Sequence, residues 1–111
     1  MSANAGRAGE AAAVRYLESL GFEILKRNLR GPGAEIDIVA RDGRTLVFVE
    51  VKARSNRRFG DALAAVDVRK RAKIRALAAD FLQFLPPPAH VRFDVVTLEG
   101  GQPRLHRGAF A

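Results

Sequence analysis

Asp37, Glu50 and Lys52 stand in two short β-rich runs, Ala34-Glu-Ile-Asp-Ile-Val-Ala40 and Thr45-Leu-Val-Phe-Val-Glu-Val-Lys52. Two carboxylates and a lysine are what phosphodiester hydrolysis needs in one place. The carboxylates are oxygen ligands for a divalent cation, and the lysine is a positive charge where negative charge develops. Whether the three meet depends on the turn between the runs. Arg41-Asp42-Gly43-Arg44 joins them, and an Asp-Gly pair between β-formers predicts a two-residue hairpin loop. With Asp42-Gly43 as that loop, Ile36 faces Val49, Ile38 faces Val47 and Ala40 faces Thr45, an apolar face that belongs against a helix. On the other face Glu35 sits opposite Glu50 and Asp37 opposite Phe48. Lys52 shares the Glu50 face because strand side chains alternate. Asp37 is then a diagonal neighbour of Glu50, within roughly 7–8 Å. Like charges paired across a sheet are destabilising. The patch therefore calls for a counter-charge, either a bound divalent cation or solvent helped by Lys52 and Arg54.

Two helical patterns bring further polar residues towards this patch. In the first, from about Ala5 to Leu20, the residues Ala13, Val14, Leu17 and Leu20 recur at helical spacing, and Gly21 can end the helix in the left-handed conformation. Glu10 falls in the middle of that stripe. A carboxylate there is costly unless paired or metal-bound; at an exposed helix start it is instead favoured by the dipole. The second helix runs from an Asp67 cap to about Leu85, with Ile74, Leu77, Ala78, Phe81, Leu82 and Leu85 as its stripe and Pro86-Pro87-Pro88 as its stop. Lys70 lies on the same stripe, either snorkelling from the helix end or reaching inward for a phosphate. The cations cluster in three groups: Lys26, Arg27 and Arg30; Arg54, Arg57 and Arg58; and Arg69, Lys70, Arg71, Lys73 and Arg75. An acidic, metal-ready centre inside a basic rim is what cutting a nucleic-acid backbone requires.

The elements that must position these residues form a simple series. Phe22 to Leu29 reads as a strand ended by the Gly31-Pro32-Gly33 breaker. The Asp37 and Glu50 runs follow as a hairpin, and Val91 to Leu98 is a further strand after the second helix. Gly100-Gly101 then turns the chain, and Pro103 to Arg107 adds a short edge strand. The fold class is α/β, a central mixed β-sheet flanked by helices in the order αβββαβ. With 111 residues and no linker or repeat, residues 1–111 are expected to form one domain. The absence of Cys excludes disulfides and thiolate metal sites. No apolar stretch approaches the roughly 20 residues of a membrane span, so a soluble, cytoplasmic protein is the default. Asp94 is expected to pair with an Arg, and the two histidines, His90 and His106, to lie on the surface.

Asp37 followed by Glu50-Val51-Lys52 resembles the PD-(D/E)xK nuclease motif, with Ile36 where the motif's name has Pro. Together with Gly9-Glu10, Gly21-Phe22, Arg27-Asn28, Glu35-Ile36-Asp37-Ile38-Val39-Ala40, Phe48-Val49-Glu50-Val51-Lys52-Ala53-Arg54 and Arg92-Phe93-Asp94-Val95-Val96, the chain resembles the YraN family of bacterial endonuclease-like proteins, related to archaeal Holliday-junction resolvases. The likeness runs from about Ala5 to Leu98. It implies a restriction-endonuclease-like fold. It also implies that Asp37 and Glu50, with the Val51 carbonyl, hold Mg²⁺ or Mn²⁺, that Glu10 completes the metal shell, and that Lys52 orients the attacking water and steadies the phosphate.

Lys+Arg number 19 against 12 Asp+Glu, a net charge of +7. Such a balance fits a polyanionic partner, or an Arg-rich surface with no partner at all. The expected function is metal-dependent hydrolysis of branched or otherwise structured DNA, with Arg27, Arg54, Arg57, Arg58, Lys70 and Lys73 contacting the backbone and a two-fold dimer as the plausible assembly. One alternative is a nucleic-acid-binding module that keeps the nuclease fold without turnover. Another is an adaptor whose basic surface binds RNA or another acidic partner. Both nucleic-acid readings require affinity for DNA to fall steeply between 50 and about 200 mM salt; fluorescence-anisotropy titrations that show no salt dependence would rule them out.

Overall fold

The computed structural model describes residues 6–54 and 68–110. Helix α1 (Gly6–Ser19) is followed by strands β1 (Glu23–Gly31), β2 (Ala34–Asp42) and β3 (Thr45–Arg54), helix α2 (Val68–Leu82), and strands β4 (His90–Glu99) and β5 (Gln102–Phe110). This is the αβββαβ order of the expected restriction-endonuclease-like fold, with a full-length fifth strand where only a short edge strand was expected. The strands form one sheet in the order β1-β2-β3-β4-β5. The pairs β1–β2, β2–β3 and β4–β5 are antiparallel, and β3–β4 is parallel across the α2 connection. Arg57, Arg58 and the Asp67 cap lie outside the described residues. Among the described residues no helix is long and apolar enough to cross a membrane.

Side-chain alternation divides the sheet into two packed faces. Val47, Val49 and Val51 point towards α1 and meet Ala13 and Leu17. Leu46 and Phe48 point the other way and meet Ile74, Leu77 and Ala78 of α2. Phe48 is 1% exposed and packs edge-on against Phe81 and stacked on Phe93. The face assigned to polar residues by the hairpin pattern is therefore a second core, open only at one end. Ile36 also joins this second core and not the Val49 face.

The hairpin register differs from the expected one by two residues. Asp42 pairs with Thr45 and Ile38 with Val49, so Gly43-Arg44 is the loop. Gly43 has φ of 61° and Arg44 is not in the positive-φ region. This places glycine at the first central position, as a type II′ turn requires, where the Asp42-Gly43 loop would have needed it at the second. A shift of two does not by itself move side chains between faces, but it changes who faces whom. Gly21, with φ of 95°, ends α1 as expected.

Asp94 is fully buried and holds the far half of the sheet together. Arg92 donates to it from Nε, 2.9 Å to Oδ1 and 3.1 Å to Oδ2, and from Nη2, 3.0 Å to Oδ2, and also reaches Asp42 Oδ2 at 3.0 Å. The Gly108 amide donates to Asp94 Oδ1 at 2.9 Å, close to the point where the β4–β5 ladder shifts register. Contrary to the surface role expected of it, His106 is half-buried, with Nε2 2.9 Å from Thr97 Oγ1. Burial, and then the Arg104 charge, lower its pKa from the ordinary 6.5.

Removing Asp94 strands a partly buried guanidinium and an amide, so Asp94→Ala is expected to cost about 3 kcal/mol, measured by urea denaturation. His106 gives stability a pH dependence of known sign. Its folded pKa lies below its unfolded value, so its contribution is complete above pH 6.5 and is lost as pH falls through the folded pKa. The drop in Tm on acidification through that window should be shallower in His106→Gln than in wild type; equal slopes would show that His106 does not contribute.

Candidate active site

The site forms where the β2–β3 ladder stops. Continuing the register past Ile38 and Val49 would bring Asp37 against Glu50. The ladder ends there, and the Val51 amide donates to the Asp37 carboxylate, 2.8 Å to Oδ2. A side chain thus completes the rung that backbone would have made. Asp37, Glu50 and Lys52 are 2%, 5% and 7% exposed. Burial and the Glu50 charge push the Asp37 pKa up to about 7; the Val51 hydrogen bond opposes them, and the charges of Glu10 and Glu35 add to the rise.

These residues line one cavity of about 510 Å³. Strands β2 and β3 supply Glu35, Asp37, Glu50, Val51 and Lys52. The β1–β2 turn supplies Arg30, Gly31 and Gly33, and α2 supplies Arg69, Lys70, Lys73 and Ile74. Glycines shape the turn that meets α2. A Cβ on Gly31 would fall 2.7 Å from Leu77 Cδ1, and Gly33 adopts φ of 72°, a conformation that side chains disfavour. Arg30 Nε is 3.2 Å from Glu35 Oε2. Glu50 Oε2 has two ammonium groups near it, Lys70 Nζ at 3.1 Å and Lys52 Nζ at 3.9 Å. Burial works to lower the Lys70 pKa, but its interactions with the Lys52 side chain and the Glu50 carboxylate outweigh it, and the net direction is up.

The structure brings Asp37, Glu50, Val51, Lys52, Lys70 and Lys73 together around this cavity and leaves two other residues aside. Glu10 is 5% exposed, so the exposed helix-start alternative does not hold, yet it does not line the cavity. Arg27 Nη2 lies 3.6 Å from Glu10 Oε1. The Asn28 amide, oriented to donate, sits 3.1 and 3.2 Å from the two Glu10 oxygens. Arg27 is therefore engaged with Glu10 and does not line the cavity. Arg54 ends β3 opposite Glu99. Sequence reasoning gave no role to Asn28, which adopts φ of 56° beside Glu10; Arg30 and Arg69, expected in the basic rim, do line the cavity wall. The Arg27-Asn28 pair was visible in the sequence, but a left-handed asparagine has no spacing signal.

Among the described residues no group of three or more Asp, Glu or His side chains is gathered to hold a metal ion. Asp37 and Glu50 nevertheless provide hard oxygen donors beside the Val51 backbone, and burial, then the Glu50 charge, raises the Asp37 pKa. That donor set suits Mg²⁺, which commonly takes one or two carboxylates and fills its shell with water and phosphate.

The sequence model of an uncharacterised protein family, UPF0102, matches residues 9–98. The chain is 44% identical to a UPF0102 protein of Bordetella parapertussis over 113 residues, covering 95% of this chain and 63% of that protein. It therefore spans less than two thirds of that relative's length. A UPF0102 protein of Symbiobacterium thermophilum is 46% identical over 104 residues, with coverage of 91% and 86%. A third, from Parafrankia sp., is 49% identical over 116 residues, with coverage of 99% and 98%.

Proposed function

The chain belongs to the UPF0102 family, and from that footing we propose that it is a divalent-metal-dependent nuclease acting on branched or otherwise structured DNA. One observation carries this reading. Two carboxylates and a lysine, all at most 7% exposed, open into a cavity whose opposite wall is cationic. Burying acids so close together is costly, and a cavity that combines them with Arg30, Arg69, Lys70 and Lys73 is built for a ligand that is anionic and needs a cation at its centre.

Asp37 and Glu50, with the Val51 carbonyl, would hold Mg²⁺ or Mn²⁺, which supplies Lewis acidity to the phosphate and lowers the pKa of the attacking water. The chain's own residues do the rest. The Val51 amide fixes the Asp37 carboxylate in place. Lys52, on the same strand face as Glu50, supplies a positive charge where the phosphate gains negative charge. Arg69 and Lys73 bind neighbouring phosphates and position the backbone without reading bases. Glu10 acts from outside the cavity through its charge on Asp37. Arg54, Arg57 and Arg58 add to the positive charge that would attract a polyanion. A chain this small spans little duplex, and a two-fold dimer would present two cavities to a branched substrate.

A second reading has its own support. Two lysines already lie close to Glu50, and among the described residues no group of three or more acids is gathered to hold a metal ion. A nucleic-acid-binding module that has kept the nuclease fold would look like this.

A panel of four-way junction, flap, nicked and linear DNAs with Mg²⁺ or Mn²⁺ separates the two. Wild type is expected to nick at least one branched substrate. Lys52→Ala should lower kcat by about 10²–10³ while still binding DNA, and Asp37→Ala and Glu50→Ala should lose both cleavage and the rise in Tm that Mn²⁺ gives wild type. DNA binding without cleavage under every ion would hand the case to the binding module.

A further inference from the structure

Glu50 is shared between two lysines of different freedom. Lys52 comes from the same strand as Glu50 and its side chain is 8% exposed. Lys70 comes from α2, its side chain is 39% exposed, and it is the nearer of the two, 3.1 Å from Glu50 Oε2. A buried lysine on a strand has nowhere else to put its charge. A half-exposed lysine on a helix facing the strand does, because its four-carbon stem can carry the ammonium across the cavity.

Resting on the nuclease reading above, we propose that Lys70 is the resident counter-ion of the site: it holds Glu50 in the metal-free protein, yields it to an entering divalent cation, and takes a phosphate oxygen of the nucleic acid instead. The charges at the centre show why such an exchange is favoured. Before metal enters, Lys70 at 3.1 Å and Lys52 at 3.9 Å offset the charge of Glu50. A doubly charged ion beside Glu50 repels the ammonium that was 3.1 Å from the same oxygen. The centre then carries an excess of positive charge. Lys70 remains on the wall with Arg69 and Lys73, where the next anion available is phosphate, which a lysine binds as a point charge without strict geometry. Metal entry and nucleic-acid binding are therefore coupled, and the coupling must act equally in both directions.

The test is Mn²⁺ binding to the free protein, followed by electron paramagnetic resonance of unbound Mn²⁺, for wild type, Lys70→Ala and Lys70→Arg, with Lys70→Gln in place of the alanine variant should that one not fold. Loss of the competing ammonium is expected to tighten Mn²⁺ binding by about tenfold, and Lys70→Arg to restore the wild-type value. In the Mn²⁺-loaded state, Lys70→Ala should lower the salt dependence of DNA affinity by about one counterion. Tighter binding in the alanine variant supports the exchange, including the case in which only that variant binds. Equal Mn²⁺ affinities in wild type and Lys70→Ala overturn the exchange and leave the metal-dependent nuclease reading standing. No uptake by either protein overturns both. An unchanged salt slope beside tighter Mn²⁺ binding overturns the transfer of Lys70 to phosphate.

Discussion

The hydrogen bond from the Val51 amide to Asp37, 2.8 Å long, substitutes a carboxylate for a rung of backbone pairing, and the rest of the site follows from that substitution. Because the rung is made by a side chain, β2 and β3 separate just where Glu50 leaves the ladder. The gap becomes the cavity. Its acids are then too deeply buried to rely on water, so the fold must bring cations to them. It does so from three directions: Lys52 along the strand, Lys70 and Lys73 from α2, and Arg30 from the β1–β2 turn. The glycine at position 31 matters for the same reason, since a larger residue there would have to displace the tip of Leu77 on α2.

Asp94 repeats the device at the other side of the sheet. It too is a buried aspartate taking a backbone amide close to where a ladder shifts register, here from Gly108. The difference is its partner. Arg92 meets Asp94 through a two-pronged contact and adds Asp42, a fixed geometry that leaves no cavity and no unmet charge. Asp37 faces point-like lysines across open space. One aspartate is a structural tie and the other stands at a place where ligands can enter; the contrast lies in the shape of the cation, not in the acid.

Much of this was legible in the residues. Period-two alternation placed Glu50 and Lys52 on one face and brought Asp37 to the same patch, because an even error in register does not move side chains between faces. Glu10 stood out as an acid on an apolar stripe and is indeed buried, and Lys70 as a cation on another stripe indeed reaches inward. The turn was misplaced because Asp42-Gly43 and Gly43-Arg44 both satisfy hairpin chemistry, and only the sign of φ at the second residue distinguishes them. The burial of the face carrying Phe48 was not legible because a hairpin considered alone has one free face, whereas the parallel pairing with β4 brings α2 over it. The engagement of Arg27 and Asn28 with Glu10 was out of reach, since it depends on one left-handed backbone angle with no counterpart in periodicity.

The two outer strands have a consequence for behaviour at high concentration. β1 exposes Lys26, Arg27 and Arg30, and β5 carries Pro103 with exposed Arg104 and Arg107. Outer strands offer unpaired backbone to any similar strand, and like charge together with a proline discourages such zipping. The colloidal stability of the molecule thus leans on a positive charge that would also attract polyanions. An excess of any polyanion would neutralise that protection, so mixtures near charge balance are where this protein is most prone to co-precipitate.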